Sequence, residues 1–113
     1  MEWCGMFVNY CFRRAAEEYG VNLPWGNTTF WTGSSVTDWA YRNTDVLVGE
    51  YPIYPGDIYV MNKGHIGMVR TTTAEGSDVL YTIDGNQSTF KEGAKSLVRR
   101  TRQLGDMRII IRI

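Results

Sequence analysis

Apolar residues recur at three- and four-residue spacing through Cys4, Phe7, Val8, Cys11, Phe12 and Ala15, while Arg13, Arg14, Glu17 and Glu18 fall towards the other side. That period predicts an amphipathic helix from Trp3 to Tyr19, with Gly20 placed as the residue after its last turn. Residues 21 to 33 contain Pro24, Gly26, Asn27 and Gly33 and read as a loop. A short second helix is expected from Ser35 to Arg42, capped by Ser34 or Ser35. A further loop runs through Pro52 and Pro55. Beyond Gly56 the period shortens to that of strands, in runs Asp57–Met61, Ile66–Thr73, Val79–Ile83, Ser96–Arg102 and Arg108–Ile113. Asn62-Lys63-Gly64 and Ala74-Glu75-Gly76 are the expected turns. Helices first and strands afterwards indicate an α+β domain, its antiparallel sheet of about five strands packed on the N-terminal helix.

One pairing can be worked out in advance. If the strands flanking Ala74-Glu75-Gly76 form a hairpin centred near residues 74 and 75, Ile66 faces Ile83, Met68 faces Tyr81 and Arg70 faces Val79. His65 then lies opposite Asp84, and cross-strand neighbours on one face stand only ~5 Å apart at Cβ. A slip of two residues puts Asn86 opposite His65 instead, on the same face. Asp84-Gly85-Asn86 also reads as a turn, since Asp-Gly and Gly-Asn are common turn pairs.

Size and charge narrow the function. The 113 residues, 43% of them hydrophobic, suit one domain spanning 1–113 with a single core, and 12 basic residues balance 12 acidic ones. Net neutrality argues against nucleic acid as a partner and against a polybasic membrane anchor. No apolar run approaches the ~20 residues that membrane insertion by a helix requires. Met1-Glu2-Trp3-Cys4 lacks the basic start and apolar stretch of a secretory signal. A monomer is expected.

The two cysteines differ in setting. On a shared helix, Cys4 and Cys11 are separated by roughly 10 Å along the axis, whereas a disulfide tolerates Cα atoms only ~7 Å apart. Cys4 falls in the first helical turn, where unpaired N–H groups and the dipole favour an anion and hence a reactive thiolate. A small buried hydrophobe is the alternative reading for Cys4, and it is the expected one for Cys11. A single histidine and no CxxC spacing speak against zinc, so no metal and no cofactor are expected. Any imidazole base must be His65, and Asp84 or Asn86 could accept its N–H and hold one tautomer.

Four blocks together carry a resemblance: Trp3-Cys4-Gly5-Met6-Phe7-Val8-Asn9-Tyr10-Cys11, Pro55-Gly56-Asp57-Ile58, Gly64-His65-Ile66-Gly67-Met68-Val69, and Ile83-Asp84-Gly85-Asn86-Gln87-Ser88. In this order they resemble a CHAP domain, the cysteine- and histidine-dependent amidohydrolase/peptidase family related to NlpC/P60 and papain-like enzymes. Ser35-Val36-Thr37-Asp38-Trp39-Ala40 resembles the family's second helix. The resemblance implies a papain-like CHAP fold and cleavage of amide bonds in peptidoglycan, within the stem peptide or between it and the sugar. It implies Cys4 as nucleophile, His65 as general base and Asp84, or failing it Asn86, as the orienting residue. Asp84 is preferred because a carboxylate stabilises an imidazolium better than an amide does. Family domains usually carry a segment ahead of the cysteine helix and often a polar residue just before the nucleophile. Here three residues precede Cys4 and the neighbour is Trp3, so that wall of the cleft is expected to be missing, supplied by another chain, or cut away ahead of this sequence.

Trp3, Trp25, Trp31 and Gly64 are the candidate substrate-contacting positions, the tryptophans as rigid walls of a groove. Trp39 is expected to fill core. Arg99-Arg100-Thr101-Arg102 alternates along a strand and reads as a solvated face. The resulting expectation is a peptidoglycan hydrolase acting outside the cytoplasm, with an immunity protein or carrier chain as conceivable partners. Two other classes fit the same residues: a cysteine amidase or transferase working on another amide, and a non-catalytic wall-binding module on the same scaffold.

Overall fold

A computed structural model describes residues 3–23, 25, 33–43, 46, 48, 52–91 and 94–113, with the backbone course alone for residues 3–6, 33, 85–91 and 94–98. Helix α1 spans Trp3–Tyr19, the full length predicted, and Gly20 follows with φ 67°. Helix α2 spans Gly33–Arg42 and starts two residues earlier than expected. Five strands follow: β1 Ile58–Met61, β2 Ile66–Val69, β3 Val79–Lys91, β4 Ala94–Gln103 and β5 Met107–Ile111. They form one antiparallel sheet in the order β4-β3-β2-β1-β5. The α+β class and the helix-on-sheet packing expected of a papain-like CHAP fold are both present.

Alternation along the strands sorts the core onto two faces. Ile58, Val60, Ile66, Ile109 and Ile111 pack with Phe7 and Val8 of α1, with Val36, Trp39 and Ala40 of α2, and with Trp25. On the opposite face Tyr59, Met61, Val69, Leu80 and Ile110 gather with Ile53. Helix α1 lies against β2 and β3, while α2 reaches β1. Trp39 fills core as expected, 9% exposed and edge-on to Trp25.

Two strand expectations are corrected. The run 66–73 does not continue as one strand: β2 ends at Val69, and Thr73 exchanges both backbone hydrogen bonds with Ile53. That diversion lengthens the connection and moves the β2–β3 register by two, so that Met68 faces Ile83 and Val69 faces Thr82. Continued backwards, this register sets Gly67 opposite Asp84 and His65 opposite Asn86. Asp84-Gly85-Asn86 is not a turn either, because all three residues are strand positions paired with Val98, Leu97 and Ser96.

Candidate active site

A tight turn delivers His65. The Gly64 N–H donates to the Met61 carbonyl and the Met61 N–H to the His65 carbonyl, closing the β1–β2 connection through Asn62-Lys63-Gly64 as predicted. Gly64 has φ 98°, a conformation that L side chains rarely adopt, so its role in the turn accounts for the glycine without any ligand. The imidazole, 23% exposed, lies beside β3, its ring centroid 6.0 Å from that of Tyr59.

A row across three strands makes room for the acid. Tyr59 on β1 pairs with Gly67 on β2, and Gly67 in turn lies opposite Asp84 on β3. Lacking a side chain, Gly67 leaves the space in which the Tyr59 hydroxyl meets Asp84 Oδ1 and donates a hydrogen bond to it. A β-carbon on Gly67 would overlap Oδ1 and stand 2.6 Å from the Tyr59 hydroxyl. His65 Nε2 lies 3.6 Å from the same Oδ1.

The other carboxylate oxygen is held equally well. Asp84 Oδ2 accepts from Arg102 Nη2 at 2.9 Å and Nε at 3.3 Å, and Thr82 Oγ1 donates to it at 3.3 Å. Asp84 is only 1% exposed. Burial pushes its pKa up, but the neighbouring His65 imidazole, the hydrogen bonds from Tyr59 and Arg102 and the guanidinium charge outweigh that, and the carboxyl is held below the ordinary aspartate value. Burial, and then the adjacent carboxylate, raise the Tyr59 phenol, which therefore stays a protonated donor.

Sequence reasoning missed Tyr59 and Arg102. The arginine run is indeed exposed at Arg99 and Arg100, but the Arg102 side chain is 16% exposed and paired with Asp84. Its polar face was expected to be solvated, yet at this pair the face turns over the second core cluster, where a carboxylate waits. An aspartate expected opposite His65 on one face of the sheet is the signal that could call for a cation within reach.

The remaining candidates fall in three groups. Cys4 is the second residue of α1, in a first turn that holds no acidic residue, and α1 packs on β2, which His65 immediately precedes, and on β3, which carries Asp84. The side chains of Trp3, Cys4 and Asn86, and all of Trp31, lie outside the described residues. Trp25 is corrected: at 5% exposed and edge-on to both Phe12 and Trp39, it is a core ring and not a groove wall. Cys11 is a free, half-buried thiol whose pKa is pushed up by burial. Among the described residues, no three of His, Cys, Asp and Glu cluster closely enough to share a metal ion.

The chain belongs to the CHAP domain family, whose model matches residues 1–86. Domains of this family are typically hydrolases that act on peptidoglycan in the cell wall. No curated protein and no solved structure matches the chain.

Proposed function

We propose that the protein is a cysteine-dependent amide hydrolase of peptidoglycan, cutting within the stem peptide or between the peptide and the sugar. Cys4 is the nucleophile, His65 the general base and Asp84 the orienting acid. The observation that carries this reading is the His65–Asp84 pair, one immediately ahead of β2 and the other on β3, two strands packed against the helix whose first turn holds Cys4. Because Nε2 is the nitrogen that faces Asp84, the ring keeps its proton there and accepts the thiol proton at Nδ1.

The thiolate then attacks the amide carbonyl, and the helix-start N–H of Cys4 helps hold the oxyanion, where one donor is commonly worth ~3 kcal/mol. The C–N bond breaks as the imidazolium returns its proton to the leaving amine. Water, deprotonated by His65, hydrolyses the thioester and restores the thiol. Two features besides the family match support this order of roles: Asp84 remains an anion facing the imidazole, and Cys11, the other thiol, is half-buried and raised in pKa.

The experiment is release of new amino groups from purified sacculi by the protein, by Cys4→Ala and by His65→Ala. Hydrolysis by the wild type that both variants lose is the expected result. Hydrolysis retained by folded Cys4→Ala would remove the nucleophile from the account. Tight binding to sacculi without amine release would favour a wall-binding module.

A further inference from the structure

Arg102 lies beyond residues 1–86, the part of the chain that the family model matches, yet it reaches the centre of the candidate site. Its Nε and Nη2 both address Asp84 Oδ2, while its third nitrogen, Nη1, sits 3.2 Å from Met61 Sδ. The guanidinium carbon lies 5.6 Å over the Tyr59 ring. The arginine is thus gripped on several sides, and so is the carboxylate: Oδ2 is occupied from β4 and β3, leaving Oδ1 to Tyr59 and His65.

A carboxylate buried to this extent without a cation tends to neutralise itself by taking up a proton. It could then offer His65 a hydroxyl donor in place of an acceptor, and the imidazole would lose the interaction that selects its tautomer. A point charge would keep the anion but would hold Oδ2 less firmly than the two converging nitrogens of a preorganised guanidinium, and the carboxylate plane is set by that grip on Oδ2 together with the Tyr59 hydroxyl on Oδ1.

We propose that Arg102, with Tyr59 as its counterpart on the other oxygen, is a positioning residue for the hydrolysis: it holds Asp84 ionised with Oδ1 turned to His65, and thereby fixes the tautomer and tilt of the catalytic imidazole. The proposal rests on the reading of Cys4 and His65 as nucleophile and base. It makes β4 a functional part of the domain and not only a sheet edge.

His65 is the only histidine in the sequence, so one pair of imidazole ¹⁵N resonances reports its tautomer directly. In the wild type the Nε2–H form is expected to dominate at neutral pH. Arg102→Gln should yield mixed tautomers and lower kcat on the order of 100-fold, as for other losses of catalytic positioning, while KM stays within about twofold. Arg102→Lys keeps the charge and should be folded, with tautomers and kcat between those of wild type and Arg102→Gln. Wild-type tautomer and kcat in folded Arg102→Lys and Arg102→Gln would overturn the proposal. If Arg102→Gln does not fold, Arg102→Lys decides alone: an intermediate phenotype supports positioning, and wild-type behaviour refutes it. Should the wild type release no amines, the ¹⁵N comparison still tests the positioning role, and the hydrolase reading is the one that fails.

Discussion

The Asp84 carboxylate lies over Gly67, in the space that a side chain on β2 would fill. Three neighbouring strands cooperate in this: β1 supplies the Tyr59 hydroxyl, β2 supplies the gap and β3 supplies the acid. The site is therefore set by sheet register as much as by the identity of its polar residues.

Gly67→Ala tests that dependence. The added methyl meets Oδ1 and the Tyr59 ring in a packed interior, and overpacking of this kind usually costs 1–3 kcal/mol, here roughly the upper half of that range. Urea unfolding should show the loss, and the His65 ¹⁵N shifts should move with the displaced carboxylate. Unchanged stability and unchanged shifts would mean that Asp84 is not held where Gly67 leaves room.

Asp84 also sets an acid limb of stability. Its folded pKa is depressed below the unfolded value near 4, so its contribution is present above that value and is lost as pH falls through the folded pKa. Asp84→Asn has no such titration. It should be less stable at neutral pH and show a shallower decline on acidification, read from urea midpoints between roughly pH 2 and 7. A parallel decline in both proteins would assign the acid limb to other carboxylates.

Tyr59→Phe removes one donor from a buried carboxylate oxygen and keeps the ring that packs under Arg102. A lost hydrogen bond to a charged group is worth about 1.5–3 kcal/mol. Thermal unfolding should show a drop in that range, with kcat reduced and KM little altered. A variant as stable and active as wild type would show that Arg102 and Thr82 suffice to hold Asp84.

Trp25→Ala separates core from groove. A ring 5% exposed and packed edge-on to two aromatic neighbours predicts a loss of about 3–5 kcal/mol. Trp25→Phe should recover much of that stability with unchanged affinity for sacculi in a pull-down. A folded Trp25→Phe that binds sacculi markedly more weakly would return Trp25 to the substrate wall.

Much of this arrangement is legible in the sequence because two periods carry it. The 3.6-residue repeat from Cys4 to Ala15 defines α1 to the residue, and strand alternation puts His65 and Asp84 on one face. Of the two registers the sequence allows, the structure has the one slipped by two, with Asn86 opposite His65, and because a slip of two preserves faces His65 and Asp84 stay close in either. What shifts the register is Thr73 pairing with Ile53, a long-range bridge that no local turn signal records. Asp-Gly-Asn reads as a turn on local preference alone, and pairing with β4 overrides that preference. Arg102 was illegible for the same reason: its partner is 18 residues away on an adjacent strand, and charge alternation alone reads as solvent exposure.

The most direct test of the central claim is the rate of Cys4 alkylation across roughly pH 5–9, mapped by mass against Cys11, in the wild type and in His65→Ala. Cys4 is expected to react selectively with an apparent pKa well below the ~8.5 of a free thiol, and to lose that advantage in His65→Ala. Cys11, half-buried and raised in pKa, should label slowly in both. A Cys4 that titrates at or above the free value, or that ignores the loss of His65, would contradict a cysteine–histidine catalytic pair.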